Sequence, residues 1–221
     1  MSTETSGQTP PAAAKRVRQS SSQRRAAIEA AARTLALTYG LQNLTHRSIA
    51  KHLGITHTLV VHHAPDVGEI RSRACQVLLE EEYATMEGLV AARSTAVGRL
   101  SALIHALGRP GREEQAGVWF DGWSIGRRDE RMARTVRFAM DTWQGFITRI
   151  LIDGVQRGEF VVDDPQACAW EFIALLDGLN AHTLVAYGDP ADYPARLAAP
   201  LAGRLSIPAA TLIAAHTEET P

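Results

Sequence analysis

The sequence predicts an all-α protein, with an N-terminal three-helix unit of helix-turn-helix type and a larger helical domain behind it. Three observations predict it. Apolar residues recur at helical spacing from about Ser22 almost to the C-terminus, and no stretch shows convincing strand-type alternation. Between Thr45 and Pro65 two short helical patterns meet at Gly54, a glycine-held bend that neither helix would survive alone.

Composition narrows the class. The chain has 221 residues, 45% of them hydrophobic, enough for a packed core, and no run approaches the ~20 apolar residues needed to cross a bilayer. Residues 1–20 lack the apolar centre of a secretory signal. Cys75 and Cys168 lie in separate helical patterns without metal-type spacing and read as buried small hydrophobes, which fits a reducing compartment. A soluble cytoplasmic protein is expected. Net charge is only −1, but it is unevenly spread. Lys15, Arg16, Arg18, Arg24, Arg25, Arg33, Arg47 and Lys51 face only Glu4 and Glu29 in the first 65 residues, where His46, His52, His57, His62 and His63 also fall. A basic head on an acidic body is the footprint of a nucleic-acid reader joined to something else.

The elements follow in order. Residues 1–20 form a polar arm, expected to be flexible, whose Lys15, Arg16 and Arg18 either reach phosphates or a minor groove or are simply solvated. A first helix runs from about Ser22 to Tyr39 on Ile28, Ala31, Ala32, Leu35 and Tyr39, with Gly40 as a left-handed cap. Arg24 and Arg25 oppose its dipole, so another partner must favour them there. Thr45 caps the second helix, with Ile49, Ala50 and Leu53 inward. Thr56 caps the third, with Leu59 and Val60 inward and Thr58, His62 and His63 outward. Pro65 ends it. Asp66 caps a fourth helix carrying Ile70, Cys75, Leu78, Leu79 and Tyr83. Further helices are expected over Val97–Leu107, Gln115–Ile125, Glu130–Arg157 with Gly158 as cap, Pro165–Tyr187, Tyr193–Leu205 and Ala209–Ala215. The domains are then residues 21–66 and 67–221, after the arm of residues 1–20.

These residues resemble the DNA-binding domain of TetR-type transcriptional regulators. The resemblance is carried, without gaps, by RRAAIEAAARTLALTYGLQNLT, SIAKHLGIT and VVHHAPDVGEI between Arg24 and Ile70. A weaker resemblance covers Trp119 to Gly178, which is similar to the ligand-binding domain of the BetI-like branch. There it rests on a Trp-rich segment, a long helix ending Arg-Gly-Glu-Phe, an Asp-Pro start and Leu-Leu-Asp-Gly-Leu. The family commonly has Tyr where Val61 stands, a core-filling Phe at Ala64 and a phosphate-binding Lys at Val67. Those losses weaken the salt-dependent share of affinity. They are also the best support for the alternative, a protein that kept this fold but lost operator binding and acts as a small-molecule-binding or interaction protein.

The resemblance implies a ligand-responsive regulator, a repressor that binds a palindromic double-stranded DNA operator as a homodimer and leaves it when a small-molecule effector binds. The expected DNA-binding residues are Arg24, Arg25, Thr45, Arg47, Thr56, His57, Thr58, His62 and His63; the bland alternative makes them the solvent face of a small domain. The histidine cluster adds an expectation of pH-dependent binding, since imidazolium pairs with phosphate and neutral imidazole does not. Trp119, Phe120, Trp123, Trp143 and Phe146 either line an effector pocket or are plain core. In the first case His105, Asp121, Asp177, Asn180 and His182 would orient the ligand. An aspartate pointing into an aromatic-lined cavity, Asp121 or Asp177, would favour a cation. Leu- and Ala-rich faces over residues 166–187 and 193–205 are expected to pair two subunits in a four-helix bundle.

Other chemistry finds little support. An enzyme would need His105, Asp177 or His182 as acid–base groups, yet no nucleophile motif, phosphate loop or metal-ligand spacing accompanies them. No enzyme activity and no cofactor are expected. No metal is expected at His57, His62 and His63 either, because adjacent helical residues point apart.

Overall fold

The computed structural model describes residues 20–214, and the expected arm over residues 1–19 lies outside them. Among the described residues there are ten α-helices and no strand: α1 (Ser21–Tyr39), α2 (His46–Leu53), α3 (His57–His63), α4 (Val67–Ala91), α5 (Ala96–Gly108), α6 (Glu113–Gly126), α7 (Glu130–Gln156), α8 (Pro165–Leu184), α9 (Tyr193–Leu205) and α10 (Ala209–Ala214). The chain is all-α, as the apolar periodicity predicts. No described helix is long and apolar enough to cross a membrane.

Local chemistry sets the helix ends. Ser20 and Gln23 close a capping box on α1, and Thr45 and Ser48 close another on α2. The hydroxyl of Thr56 caps α3, and the carboxylates of Asp66, Asp129 and Asp164 cap α4, α7 and α8. Gly54 ends α2 at φ 62° and ψ 35°, the left-handed conformation that the tight turn requires. Gly40 departs from expectation. Its φ is +88° but its ψ is 154°, so the chain leaves α1 extended rather than in a left-handed cap and drops into the 3-10 turn Leu41–Asn43. Helix α8 also stops earlier than Tyr187, at Leu184, where the chain turns through Ala186 at φ +52°.

Two cores result. One joins α1–α3 to the first half of α4 through Ile28, Leu41, Leu44, Ile49, Val60, Cys75 and Leu78, and takes in Val118, Met132 and Val136 from α6 and α7. The other lies among α4, α5 and α7–α10 around Leu103, Ile104, Ile147, Leu151, Leu197 and Leu205. Trp119 packs against both. The N-terminal helices therefore do not hang on a linker. They share side chains with α6 and α7, so a shift of either is felt at the head. Both cysteines are buried and free, and burial pushes the Cys75 thiol up to about 12, helped by the nearby Asp121 carboxylate.

Candidate functional site

Two regions gather the residues of interest. The first is the outer face of α2 and α3. Arg47, Lys51 and His52 are exposed on α2, and His57, Thr58 and His62 on α3, while His63 is half-buried. Arg25 is exposed and Arg24 half-buried at the start of α1, where the Nδ1 atom of His63 lies 3.4 Å from the Ser21 hydroxyl. The rings of His62 and His63 meet edge-on at 5.0 Å, as those of His46 and His57 do at 5.9 Å. Not every hydroxyl is available to a partner. Thr45 Oγ1 accepts the Ser48 N–H at 3.0 Å and donates to the Ser48 hydroxyl, so it is committed to its own helix. Thr56 Oγ1 accepts the Leu59 N–H and keeps its proton to donate. His46 is structural: its Nε2 donates to the Ala64 carbonyl at 2.8 Å and ties the two short helices together.

Where the resembling family has Phe, Ala64 lines a hollow of about 170 Å³ between α1 and the start of α4. Arg25, Arg33, Arg73 and His63 stand on its rim with Glu29, Asp66 and Glu69. Among the described residues no group of three His, Cys, Asp or Glu side chains is placed to hold a metal ion.

The second region is a cavity among α4, α6, α7 and α8. It is lined by Glu82, Leu107, Arg112, Trp119, Trp123, Met140, Trp143, Ile173, Leu176, Asp177 and Asn180. Trp119, Trp123, Trp143, Asp177 and Asn180 thus share one wall. The other expected ligand residues go elsewhere. Phe146 is buried behind the wall, edge-on to Trp143 at 6.0 Å and to Tyr83 at 5.3 Å. Phe120 packs edge-on against Trp123 at 5.0 Å outside the lining, and the His105 ring nitrogen meets the Ile213 carbonyl at 3.1 Å. His182 is exposed beside Tyr187.

Asp121 requires a correction. Positions 119 and 123 face the cavity, and 121 is about 200° from each on a helix, so its carboxylate points the other way. It accepts the Leu41 N–H at 2.6 Å and the Gln42 side-chain amide at 3.2 Å. The same turn is gripped from α4, where Arg71 donates to the carbonyls of Leu44 at 2.8 Å and Gln42 at 3.4 Å. A Cβ on residue 40 would stand 2.7 Å from Asp121 Oδ2, so glycine there is what lets the carboxylate approach. Asp121 is a tie between the head and α6, not a ligand-facing acid.

The cavity holds two carboxylates. Glu82 is buried, with its side chain 4% exposed; one oxygen accepts from the Arg112 guanidinium and the other from the Trp119 indole N–H at 2.8 Å. Among the described residues Asp177 has no such partner. Burial, and then the charge of Glu82, push its carboxyl up to about 7. The indole N–H groups of Trp123 and Trp143 are buried without a hydrogen-bond partner among the described residues. Glu82 and Arg112 are absent from the sequence expectation. Glu82 had a signal, because the stripe Cys75, Leu78, Leu79, Met86 and Val90 carries it on the buried face of α4. Arg112 had none, standing in the loop after Pro110-Gly111.

Residues 96–205 match the family described as BetI-type transcriptional repressor, C-terminal. No curated protein is similar enough in sequence to count as a match. Solved structures share the fold. One from Saccharomonospora viridis, described as a transcriptional regulator in complex with choline, is 23% identical with a TM-score of 0.73, over 80% of this chain and 94% of that one. A TetR-family regulator from Agrobacterium tumefaciens is 22% identical with a TM-score of 0.70, over 84% and 100%. A TetR regulator from Haloarcula marismortui is 15% identical with a TM-score of 0.64, over 90% and 96%.

Proposed function

The chain belongs to the TetR family, with a BetI-type C-terminal domain, and on that premise we propose a homodimeric repressor whose α2–α3 heads bind a roughly palindromic operator and release it when a small cation occupies the cavity. The observation that carries the effector class is the pairing of Asp177 and Glu82 inside a wall of Trp119, Trp123 and Trp143. Acids and indole faces both attract a cation, and desolvation strengthens the attraction. The unpartnered indole N–H groups of Trp123 and Trp143 favour a ligand that also carries an oxygen acceptor. The similar Saccharomonospora viridis structure is in complex with choline, a small cation of this kind.

On DNA, α3 lies in the major groove with His57, Thr58 and His62 toward it, while Arg24, Arg25, Arg47 and the Thr56 hydroxyl meet phosphates. His63, half-buried, sits at the edge of that contact, and Thr45 acts through its cap. Two subunits pair through α8 and α9. The outward face of α8 carries Trp170, Ala174, Gly178 and Ala181 and continues into the cap residue Val185, with Trp170 67% and Val185 75% exposed in the single chain. An apolar stripe of that kind, with small residues allowing close approach, suits a four-helix bundle. Coupling runs through two helices. Helix α4 joins head to sensor directly, and α6 carries the cavity tryptophans on one side and the Asp121 tie on the other. A ligand that favours the DNA-free arrangement by ~1–3 kcal/mol is enough.

The test is a titration of choline and tetramethylammonium against wild type, Asp177→Asn and Glu82→Gln by calorimetry, with dimerisation read by sedimentation. The cation reading predicts binding to wild type and weakening in both variants; binding indifferent to both changes defeats it.

A further inference from the structure

The cavity has room for about 30 Å³ of solvent, a water or two, although its wall is built of three indoles and two acids. Ligand pockets are commonly ~300–1,000 Å³. Among the described residues Arg112 is the one cation on that wall. Its guanidinium lines the cavity, its side chain is only 12% exposed, and it donates to Glu82 beside the Trp119 indole. Its Nε has no hydrogen-bond partner despite being buried, so the group is held by Glu82 with one donor unmet. Arg112 also stands where the chain enters α6. It is the N-cap residue of α6, makes no side-chain capping bond, and follows the exposed Gly111 at φ +84°. Swinging its side chain outward breaks no side-chain cap and leaves its carbonyl on the Ala116 N–H at 2.9 Å.

We infer that Arg112 is a built-in cation that occupies the effector position in the empty protein, and that an ammonium ligand binds by displacing it from Glu82. The inference rests on the cationic reading of the cavity and adds its regulation. With Arg112 in place, α6 is clamped to α4 through Glu82, and Asp121 on the far side of α6 grips the 41–43 turn. With Arg112 expelled, the first turn of α6 loses that clamp and the ligand takes over the tie between α4, α6 and α8. Exchange of one cation for another leaves the net charge of the cavity unchanged, so the step adds no uncompensated charge. It also sets specificity: neutral and anionic molecules cannot replace the guanidinium on Glu82.

Arg112→Met removes the charge and keeps the aliphatic stem. At pH 8, where Asp177 is ionised, the variant should bind choline about tenfold more tightly than wild type or better, since no internal cation competes. Affinity equal to or weaker than wild type overturns the inference while leaving the cation reading intact. Failure of wild type and variant alike to bind choline or tetramethylammonium removes the reading and the inference together, whereas a Glu82→Gln variant that binds like wild type while Asp177→Asn weakens binding overturns the inference alone. Should Arg112→Met not fold, tryptic cleavage after Arg112 in the wild-type dimer decides. Saturating choline accelerates it if Arg112 swings into solvent, and an unchanged rate with choline bound refutes the displacement.

Discussion

The Asp121 tie yields the sharpest prediction, because both its ends are defined. Leu41 is 0% exposed and its N–H lies 2.6 Å from the Asp121 carboxylate, so Asp121→Ala leaves a buried donor with nothing to meet. The Gln42 amide is exposed and water replaces its lost partner, so that bond adds little. A buried hydrogen bond to a charged group is worth ~1.5–3 kcal/mol, and the orphaned N–H dominates the loss. Taking ~2 kcal/mol, and ~2–4 °C per kcal/mol for a chain of this size, Tm should fall by ~4–8 °C. Asp121→Asn keeps an acceptor oxygen and should lose about half as much. Thermal unfolding followed by circular dichroism measures both. The second consequence is functional: with choline binding retained, the alanine variant should release operator DNA less completely on adding choline, because α6 no longer holds the turn. A Tm within about 1 °C of wild type, together with normal release, would refute the reasoning that Asp121 joins sensor to head.

Other outcomes follow from the same structure. Gly40→Ala should destabilise by ~1–3 kcal/mol, from a positive φ and a Cβ set 2.7 Å from Asp121 Oδ2; combined with Asp121→Ala it should cost less than the two separately, a coupling that unfolding of the double mutant measures. Ala64→Phe should fill part of the 170 Å³ hollow and raise Tm by a few degrees, whereas a lower Tm would mean that the hollow cannot admit the ring. The cationic reading of the cavity predicts choline binding that depends on pH through Asp177. The charged groups that share the cavity wall with it are Glu82 and Arg112, and its lining includes no histidine among the described residues. With its carboxyl raised to about 7, only the ionised form pairs with the ligand, so affinity should be about tenfold weaker at pH 6 than at pH 8, and flat in Asp177→Asn. The stability sign is opposite to that of an ion-paired acid: the folded state holds the Asp177 proton more tightly than the unfolded chain, so the ligand-free protein loses stability as pH climbs from about 4 to about 7.

How far the sequence could be read depends on the kind of information each feature needs. Helices with strong stripes and caps, such as α7 and α8, were legible to within a few residues, because periodicity and a capping Asp are local. Gly40 was legible as a breaker but not as an extended exit. Its ψ is set by the descent into the 41–43 turn and by room for Asp121, a partner 81 positions away. In the cavity, the tryptophans and Asp177 could be nominated by type, but choosing between Trp143, which lines it, and Phe146, which backs it, needs the rotation of α7 about its axis. Asp121 and Asp177 looked alike in sequence; only the packing turns one toward Leu41 and leaves the other beside Glu82. Arg112 was invisible because a loop residue's reach depends on the tertiary path, not on its neighbours.

Operator binding itself is the most direct test. Gel shift or fluorescence anisotropy at low salt, using the DNA upstream of the protein's own reading frame, should give a saturable complex of one dimer per site. It should weaken with salt, with choline, and with the paired change His62→Ala/His63→Ala. A wild-type protein that leaves that DNA unretarded at low salt would contradict the regulator proper, and a double variant that binds like wild type would remove His62 and His63 from the interface.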